Sequence, residues 1–181
     1  MATITGGLTA GEEETLIGLL GKVAQPWTER FYNSVNRITA LTAVYQVILR
    51  RTEAVVEVFL TPREDKIYHD KVHHPGSMVR WTDKPGFFPD AIARVKNGEL
   101  GGVEYATEPH LAGVILTDTP RGKEISVVLI CETTETPNVP GNWHSVSNLP
   151  ANLIEHEVVL NKMAVVKYEE MARRRHESIP L

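Results

Sequence analysis

One stretch of the sequence decides the fold class: Ala91-Ile92-Ala93-Arg94-Val95-Lys96-Asn97-Gly98-Glu99-Leu100-Gly101. Asp90 lies directly before it and is a residue type that caps helix N-termini. Gly101-Gly102 closes it, and glycine favours a helix C-terminus because it adopts left-handed backbone easily. The stretch therefore predicts a short helix over residues 91–100, which would carry one arginine, Arg94, and one carboxylate, Glu99.

A sharp bend is predicted upstream of this helix. His73-His74-Pro75-Gly76 places a proline next to a glycine, and both interrupt regular structure strongly. Arg80 follows the bend, where a positive charge can meet a phosphate. Trp81 lies on the same loop and is suited either to stacking on a nucleobase or to anchoring the loop in the core.

Two further segments lie downstream. Gly141-Asn142-Trp143-His144 predicts a short strand, and Leu149-Pro150 precedes a long helix predicted from Asn152 to about Arg174. Between the first stretch and this strand, residues 110–117 and 125–131 predict a strand pair with a turn-rich connection. Three signatures therefore follow one another along the chain: the bend, the short helix, and the tryptophan strand with the helix start that follows it.

In this order, the bend, the helix and the tryptophan strand resemble signatures of the Nudix hydrolase superfamily, between Tyr45 and about Tyr168. Four positions match a family helix written roughly Ala-x-x-Arg-Glu-x-x-Glu-Glu-x-Gly, namely Ala91, Arg94, Glu99 and Gly101. The resemblance implies an α/β fold, a Nudix-like α/β/α sandwich with a mixed central β-sheet. It also implies Mg²⁺ or Mn²⁺ bound by grouped glutamates, which polarises a diphosphate and activates water.

The motif departs from the family pattern in its carboxylates. Val95 and Gly98 occupy two positions where the family has glutamate, which leaves Glu99 as the one candidate for metal binding and catalysis. Valine cannot ligate a metal, and a single carboxylate holds a divalent ion poorly against water. The resemblance places the ligand near four residues: Gly76, Arg80, Trp81 and Arg94. For Arg94 the alternative is a structural role, in which it pairs with Glu99 or with the neighbouring backbone.

The N-terminal part predicts a helical extension over residues 1–37, followed by the Nudix-like domain over residues 38–181. Thr9 and Glu12 have the spacing of a capping box, which predicts a first helix to about Ala24, and Pro26 is a first-turn proline for a second. The extension either packs on the domain or forms a homodimer contact. After it, the apolar segments 44–49 and 54–60 predict two strands joined by a tight turn.

Composition excludes several classes of protein. A formal net charge of −4 gives no large basic surface, so no nucleic-acid polymer is expected as a partner. No segment approaches the ~20 apolar residues that a membrane helix needs. The single cysteine, Cys131, lies in an apolar strand and fits a reducing compartment, so we expect a cytoplasmic protein.

Three functions stay open at this point. The first is a Nudix-like domain that binds a nucleotide or another diphosphate-linked small molecule with weak or absent hydrolase activity. The second is an active pyrophosphohydrolase that uses Mg²⁺ or Mn²⁺ on Glu99 and acids outside the motif: Asp83, Asp90, Glu104, Glu108 or Glu132. The third is a noncatalytic protein-interaction module.

Overall fold

The structure, a computed structural model, describes residues 8–23, 27–36, 38–80 and 82–177. It divides the chain between Val35 and Asn36 into two compact units. The domain limits predicted from the sequence stay a prediction. None of the described helices combines the length and the apolar character that crossing a membrane requires.

The N-terminal unit contains helix α1 (Ala10–Leu20) and all but the last residue of helix α2 (Glu29–Asn36). The predicted capping box of α1 is confirmed: the Glu12 N–H donates to Thr9 Oγ1 at 3.4 Å, and the Thr9 N–H donates to Glu12 Oε2 at 2.8 Å. The helix ends at Leu20, before the predicted end. Ala24 and Pro26 lie outside the described residues, so the role of the proline stays a prediction.

The second unit is built on a seven-stranded sheet with the order β3-β2-β1-β6-β5, in which β4 also pairs with β1 and β7 with β2. The strands are β1 (Leu41–Arg51), β2 (Val56–Pro62), β3 (Val72–His73), β4 (Gly76–Met78), β5 (His110–Thr119), β6 (Gly122–Glu132) and β7 (Asn142–Ser145). β1 and β6 are parallel, and the other pairs are antiparallel. The sheet is therefore mixed, as predicted.

Helices cover both faces of this sheet. Side chains of a strand alternate between its faces, so Tyr45 and Val47 of β1 pack in the apolar cluster that contains Leu160 of helix α4 (Glu157–Glu177). Val44 packs in the opposite cluster, which contains Ala91 of helix α3 (Pro89–Arg94). β1 is buried on both sides, which explains its continuous apolar sequence. The predicted α/β sandwich is confirmed.

Both predicted strand pairs are present. The segment 44–49 lies within β1, and the segment 54–60 starts two residues before β2, which begins at Val56 and pairs antiparallel with β1. The segments 110–117 and 125–131 lie within the antiparallel pair β5–β6. Cys131 is buried in β6, as expected of a small apolar residue. The tryptophan strand is β7, which pairs with β2.

The start of the last helix was predicted five residues too early. Residues 152–154 instead extend alongside β3: the Val72 N–H donates to the Asn152 carbonyl, and the Ile154 N–H donates to the Val72 carbonyl, both at 3.1 Å. A backbone that makes these parallel bonds cannot make helical ones at the same time. α4 therefore begins at Glu157.

The short helix also differs from its prediction. Pro89 occupies its first turn and Phe88 precedes it in left-handed conformation, with φ 53°, so Asp90 is not its N-cap. The α-helix ends at Arg94, and residues Val95–Glu99 form a π-helical turn. The closing glycines have the expected positive φ, 64° at Gly101 and 81° at Gly102.

Candidate functional site

The π-helical turn positions the motif residues. The Leu100 N–H donates to the Val95 carbonyl at 3.0 Å, which gives the wider turn of a π-helix, a feature frequent at functional sites. Val95 is completely buried in the core beneath this turn. Gly98 and Glu99 border a surface cleft instead. The turn therefore separates the apolar Val95 from the carboxylate of Glu99.

Glu99 is held against the bend that precedes the loop. Its Oε2 accepts a hydrogen bond of 3.2 Å from the Gly76 N–H. Burial raises the pKa of the Glu99 carboxyl, although the Gly76 N–H and the charge of Arg63 act to lower it. A Cβ at Gly76 would lie 3.0 Å from Tyr45 Cδ1, so this position has little room for a side chain.

The cleft lies beside Glu99 and has a volume of about 450 Å³. It is bordered by residues 61–65, by His73, by Gly98 and Glu99, by Arg121, and by Val139 and Pro140. β2 runs antiparallel to β1, and β6 runs parallel to β1. The end of β2 and the start of β6 therefore reach the same end of the sheet, which brings Arg63 and Arg121 together.

Asp65 joins the two arginines of the cleft. Its Oδ2 accepts from Arg63 Nε at 2.5 Å and lies 2.8 Å from Arg121 Nη2. Its Oδ1 accepts from the N–H groups of Ile67 and Tyr68 at 3.0 and 3.1 Å. Burial acts to raise the pKa of Asp65, but the two guanidiniums and these hydrogen bonds bring it below its usual value. The carboxylate is therefore ionised and fixed.

Two buried carboxyl groups, those of Glu124 and Glu157, interact electrostatically with Arg63. Glu157 Oε2 accepts from the His74 N–H at 2.6 Å, and burial raises the pKa of Glu157 to about 8. Glu124 Oε1 accepts from the Tyr45 hydroxyl at 2.9 Å, and burial raises its pKa too. The positive charge of Arg63 opposes both shifts. Arg63 thus acts on both acids, and Arg121 acts on Glu124 as well.

His73 is the second basic residue next to Arg63. Its Nδ1 lies 3.4 Å from Arg63 Nη1. Burial, followed by the charge of Arg63, lowers the pKa of His73 to about 4. The imidazole is therefore neutral near pH 7 and leaves Arg63 and Arg121 as the positive groups of the cleft.

Arg94 has a structural partner. Its guanidinium binds Asp83 through two hydrogen bonds, and its Nη2 also donates to the Met78 carbonyl at 2.8 Å. The predicted alternative of backbone pairing is thus present, with Asp83 as the acid instead of Glu99. Arg80 is exposed, and its N–H donates to Asp83 Oδ2 at 2.9 Å.

Of the residues predicted to form the site, Glu99 borders the cleft. Gly76, Arg80 and Arg94 do not line it, and Trp81 lies outside the described residues, so the ligand-binding roles of these four stay predictions.

The acids suggested as substitutes for the missing glutamates do not join Glu99. Asp90 accepts from the Lys84 N–H at 2.7 Å, Glu104 pairs with Lys96 at 2.7 Å, and Glu132 pairs with Arg175 at 2.6 Å. Glu108 is exposed. Across the described ranges, no three His, Cys, Asp or Glu side chains group closely enough to hold a metal ion. The donor set therefore does not fit a resident Mg²⁺ or Mn²⁺.

The sequence did not identify five residues of this region: Arg63, Asp65, Arg121, Glu124 and Glu157. A weak signal existed for two of them. Glu124 begins an otherwise apolar strand, and Glu157 lies among the apolar residues that open α4. No sequence signal indicated that Arg63 and Arg121 lie close together, because the order and register of the strands bring them to the same end of the sheet.

Among the comparisons with known proteins, the comparison of structures supports the fold. No protein-family sequence model matches the chain, and no curated protein matches it in sequence. A MutT Nudix hydrolase from Burkholderia pseudomallei superposes with a TM-score of 0.57 at 17% identity, over 69% of this chain and 98% of that one. The chain therefore has a Nudix-like fold, as its three sequence signatures predicted.

Two other solved structures show the same similarity. The Nudix domain of NrtR from Shewanella oneidensis, crystallised with ADP-ribose, has a TM-score of 0.57 at 12% identity, over 78% of this chain and 99% of that one. An Ap4A hydrolase from C. elegans has a TM-score of 0.52 at 11% identity, over 72% of this chain and 99% of that one. At such identities the similarity establishes the fold alone.

Proposed function

We propose that this Nudix-like domain binds a nucleotide or another diphosphate-linked small molecule in the cleft beside Glu99, and that it hydrolyses this ligand weakly or not at all. One observation carries the proposal: Glu99 of the motif-like helix borders the same cleft as Arg63 and Arg121. Guanidinium groups bind phosphate oxygens through pairs of parallel hydrogen bonds. The cleft thus offers cations for a polyanionic ligand.

We expect weak hydrolysis because the motif has too few carboxylates to fix a metal ion. Metal-assisted attack of water on a diphosphate needs an ion fixed by several oxygen ligands. Val95 faces the core and Gly98 has no side chain, so Glu99 is the one carboxylate that the π-helical turn contributes. A substrate would therefore be held in the cleft with little activation of water.

The structural neighbours support the type of ligand. One is a Nudix domain in complex with ADP-ribose, and another is named as an Ap4A hydrolase. ADP-ribose joins adenosine to a ribose through a diphosphate, and Ap4A joins two adenosines through a tetraphosphate. A volume of about 450 Å³ falls within the range of about 300–1,000 Å³ that is usual for small-molecule sites.

A ligand panel tests this function. The full chain is titrated by calorimetry with ADP-ribose, nucleoside triphosphates, dinucleotides and nucleotide sugars, with and without Mg²⁺ or Mn²⁺, and phosphate-containing products are measured in parallel. We expect binding of at least one compound without turnover. Glu99→Gln serves as the control for chemistry, since it keeps the shape of the side chain and removes its charge.

Two results would overturn the proposal in different directions. Metal-dependent turnover that Glu99→Gln abolishes would show an active pyrophosphohydrolase that uses Mg²⁺ or Mn²⁺. Absence of binding to every compound would favour the protein-interaction module. The two outcomes differ in the product assay as well as in the titration.

A further inference from the structure

We propose that the cleft binds the diphosphate group of its ligand directly on the guanidiniums of Arg63 and Arg121, without a divalent metal ion, and that Asp65 is the positioning residue that holds the two arginines in place. This inference rests on the proposed function, because it requires that a diphosphate-linked ligand enters the cleft. It identifies the residues that recognise the diphosphate, and it assigns the positive charge that binds this group to protein side chains.

The three side chains have a geometry suited to binding an anion. Arg63 Nε and Arg121 Nη2 meet the same oxygen of Asp65, at 2.5 and 2.8 Å. Two guanidiniums on one carboxylate leave one positive charge within this group of three side chains, and Glu64 and Glu99 are the other acids that border the cleft. Arg63 and Arg121 both border the cleft, and their side chains are 28% and 16% exposed. Cations that are held in place and partly desolvated bind an anion more strongly than mobile surface cations.

Asp65 fixes the positions of both arginines before any ligand binds. Its other oxygen accepts the N–H groups of Ile67 and Tyr68, so the carboxylate is held by the backbone of its own turn. The Arg121 guanidinium also lies over the ring of Tyr68, 5.4 Å from its centroid. Ordering of long side chains in advance lowers the entropy that binding would otherwise cost.

Arg63 also lies close enough to three acids to influence their charge. Its charge acts on the carboxyl groups of Glu99, Glu124 and Glu157 and favours their ionised forms. A dication near these acids would be repelled by a guanidinium that is already fixed there. Arg63 therefore supplies the positive charge that a metal ion would supply in a site with three motif carboxylates.

The chemistry selects a diphosphate over a single carboxylate or monophosphate. Each guanidinium presents a planar set of N–H donors that matches the spacing of phosphate oxygens. Two guanidiniums joined by one carboxylate can each take one of two neighbouring phosphates. Inorganic pyrophosphate and the diphosphate of ADP-ribose share this feature, and inorganic phosphate lacks it.

The experiment compares ligands and metals on the full chain. Calorimetric titration with ADP-ribose, pyrophosphate and phosphate is run in excess EDTA and again with excess Mg²⁺. We expect pyrophosphate and ADP-ribose to bind in EDTA and phosphate to bind far more weakly. Arg121→Gln should weaken ADP-ribose binding roughly 10-fold to 100-fold, the usual effect of losing charge-assisted hydrogen bonds.

Controls separate recognition from folding. Lys123→Gln removes one positive charge from the same hairpin, at an exposed side chain paired with Asp118, and should leave binding unchanged. Arg63→Gln leaves buried acids without their cation, so its fold is checked by circular dichroism, and Arg121→Gln carries the test if Arg63→Gln unfolds. Asp65→Asn should weaken binding less than Arg121→Gln, because it loosens the arginines without removing them.

Binding that requires Mg²⁺, or binding that Arg121→Gln leaves unchanged, would overturn this inference and leave the proposed function standing. Absence of binding by ADP-ribose, by pyrophosphate and by the whole nucleotide panel would overturn the proposed function itself. The two failures are therefore distinguishable in the same set of titrations.

Discussion

Arg94 and Asp83 are joined by two parallel hydrogen bonds, from Nη1 to Oδ1 at 2.6 Å and from Nη2 to Oδ2 at 2.8 Å. The Asp83 side chain is only 10% exposed. Arg94 also donates to Ser77 Oγ at 3.0 Å and to the Met78 carbonyl. The pair therefore fastens the loop to the end of α3 and to β4, next to the backbone that holds Glu99.

Asp83→Asn should destabilise the protein, because one oxygen of the carboxylate becomes an N–H donor facing a guanidinium. We expect the free energy of unfolding, measured by urea denaturation, to fall by about 1–3 kcal/mol. Asp118→Asn is the matched control: Asp118 pairs with Lys123 on the surface, and its loss should cost at most about 0.5 kcal/mol. Equal effects of the two variants would contradict a special role for the Arg94 pair.

Val95→Glu restores a motif carboxylate at a position that cannot accept it. Val95 is completely buried between α3 and the sheet, so the charge would lose its water without gaining a partner. The free energy of unfolding should fall by more than about 3 kcal/mol, or the variant should fail to fold. Val95→Ala, which removes only apolar contacts, should cost about 2 kcal/mol in the same assay. A stable Val95→Glu protein would show that this turn can rearrange.

Gly98→Glu restores the other motif carboxylate, and there the structure has room. An added Cβ at Gly98 would meet no heavy atom within 4 Å, and the residue is exposed at the cleft. Replacing a helical glycine should maintain or raise stability by up to about 1 kcal/mol. Two adjacent carboxylates should also bind Mn²⁺ more tightly than Glu99 alone, as measured by electron paramagnetic resonance.

Gly98→Gln is the control for Gly98→Glu, since it has the same size without the charge. It should reproduce the gain in stability and leave Mn²⁺ affinity at the wild-type level. If both variants bind Mn²⁺ equally, the missing glutamate is not what limits metal binding in this cleft.

The pH dependence of stability should report on Glu157. Its pKa rises from 4.5 to about 8 on folding, because burial favours the protonated carboxyl. The folded state therefore binds a proton that the unfolded state releases, and stability contributed by this group is complete below pH 4.5 and lost as the pH rises through about 8. Glu157→Gln should remove this dependence, and it should be more stable than the wild type at about pH 9.

Thermal unfolding of both proteins from about pH 5 to about pH 9 measures this effect. His73 and His74, with pKa values lowered to about 4 and about 3, contribute in the other direction: their stability is present above pH 6.5 and lost on acidification. Because the wild type and Glu157→Gln both retain these histidines, the difference between their two curves isolates the effect of Glu157. Parallel curves across the range would contradict the assignment.

The sequence predicted the layers of the fold and missed most of the cleft, for a physical reason. Periodicity and glycine or proline turns are local, so the strand pairs, the short helix and the position of Glu99 could be predicted. Arg63 and Arg121 lie far apart in sequence and come close because the end of β2 and the start of β6 reach the same end of the sheet. The early start predicted for α4 failed because residues 152–154 bond to β3, a tertiary contact that overrides local preference.

The parallel pairing of β1 with β6 has a consequence for the order of folding. Leu41 pairs with Glu124 and Leu49 with Glu132, so the centre of the sheet joins segments more than eighty positions apart. Closing so long a loop is slow compared with forming the β1–β2 or β5–β6 hairpins. Arg63 and Glu99 lie inside that loop, and Arg121 lies at its end. The cleft therefore assembles after the hairpins, and substitutions in its lining should accelerate unfolding while leaving the folding rate nearly constant.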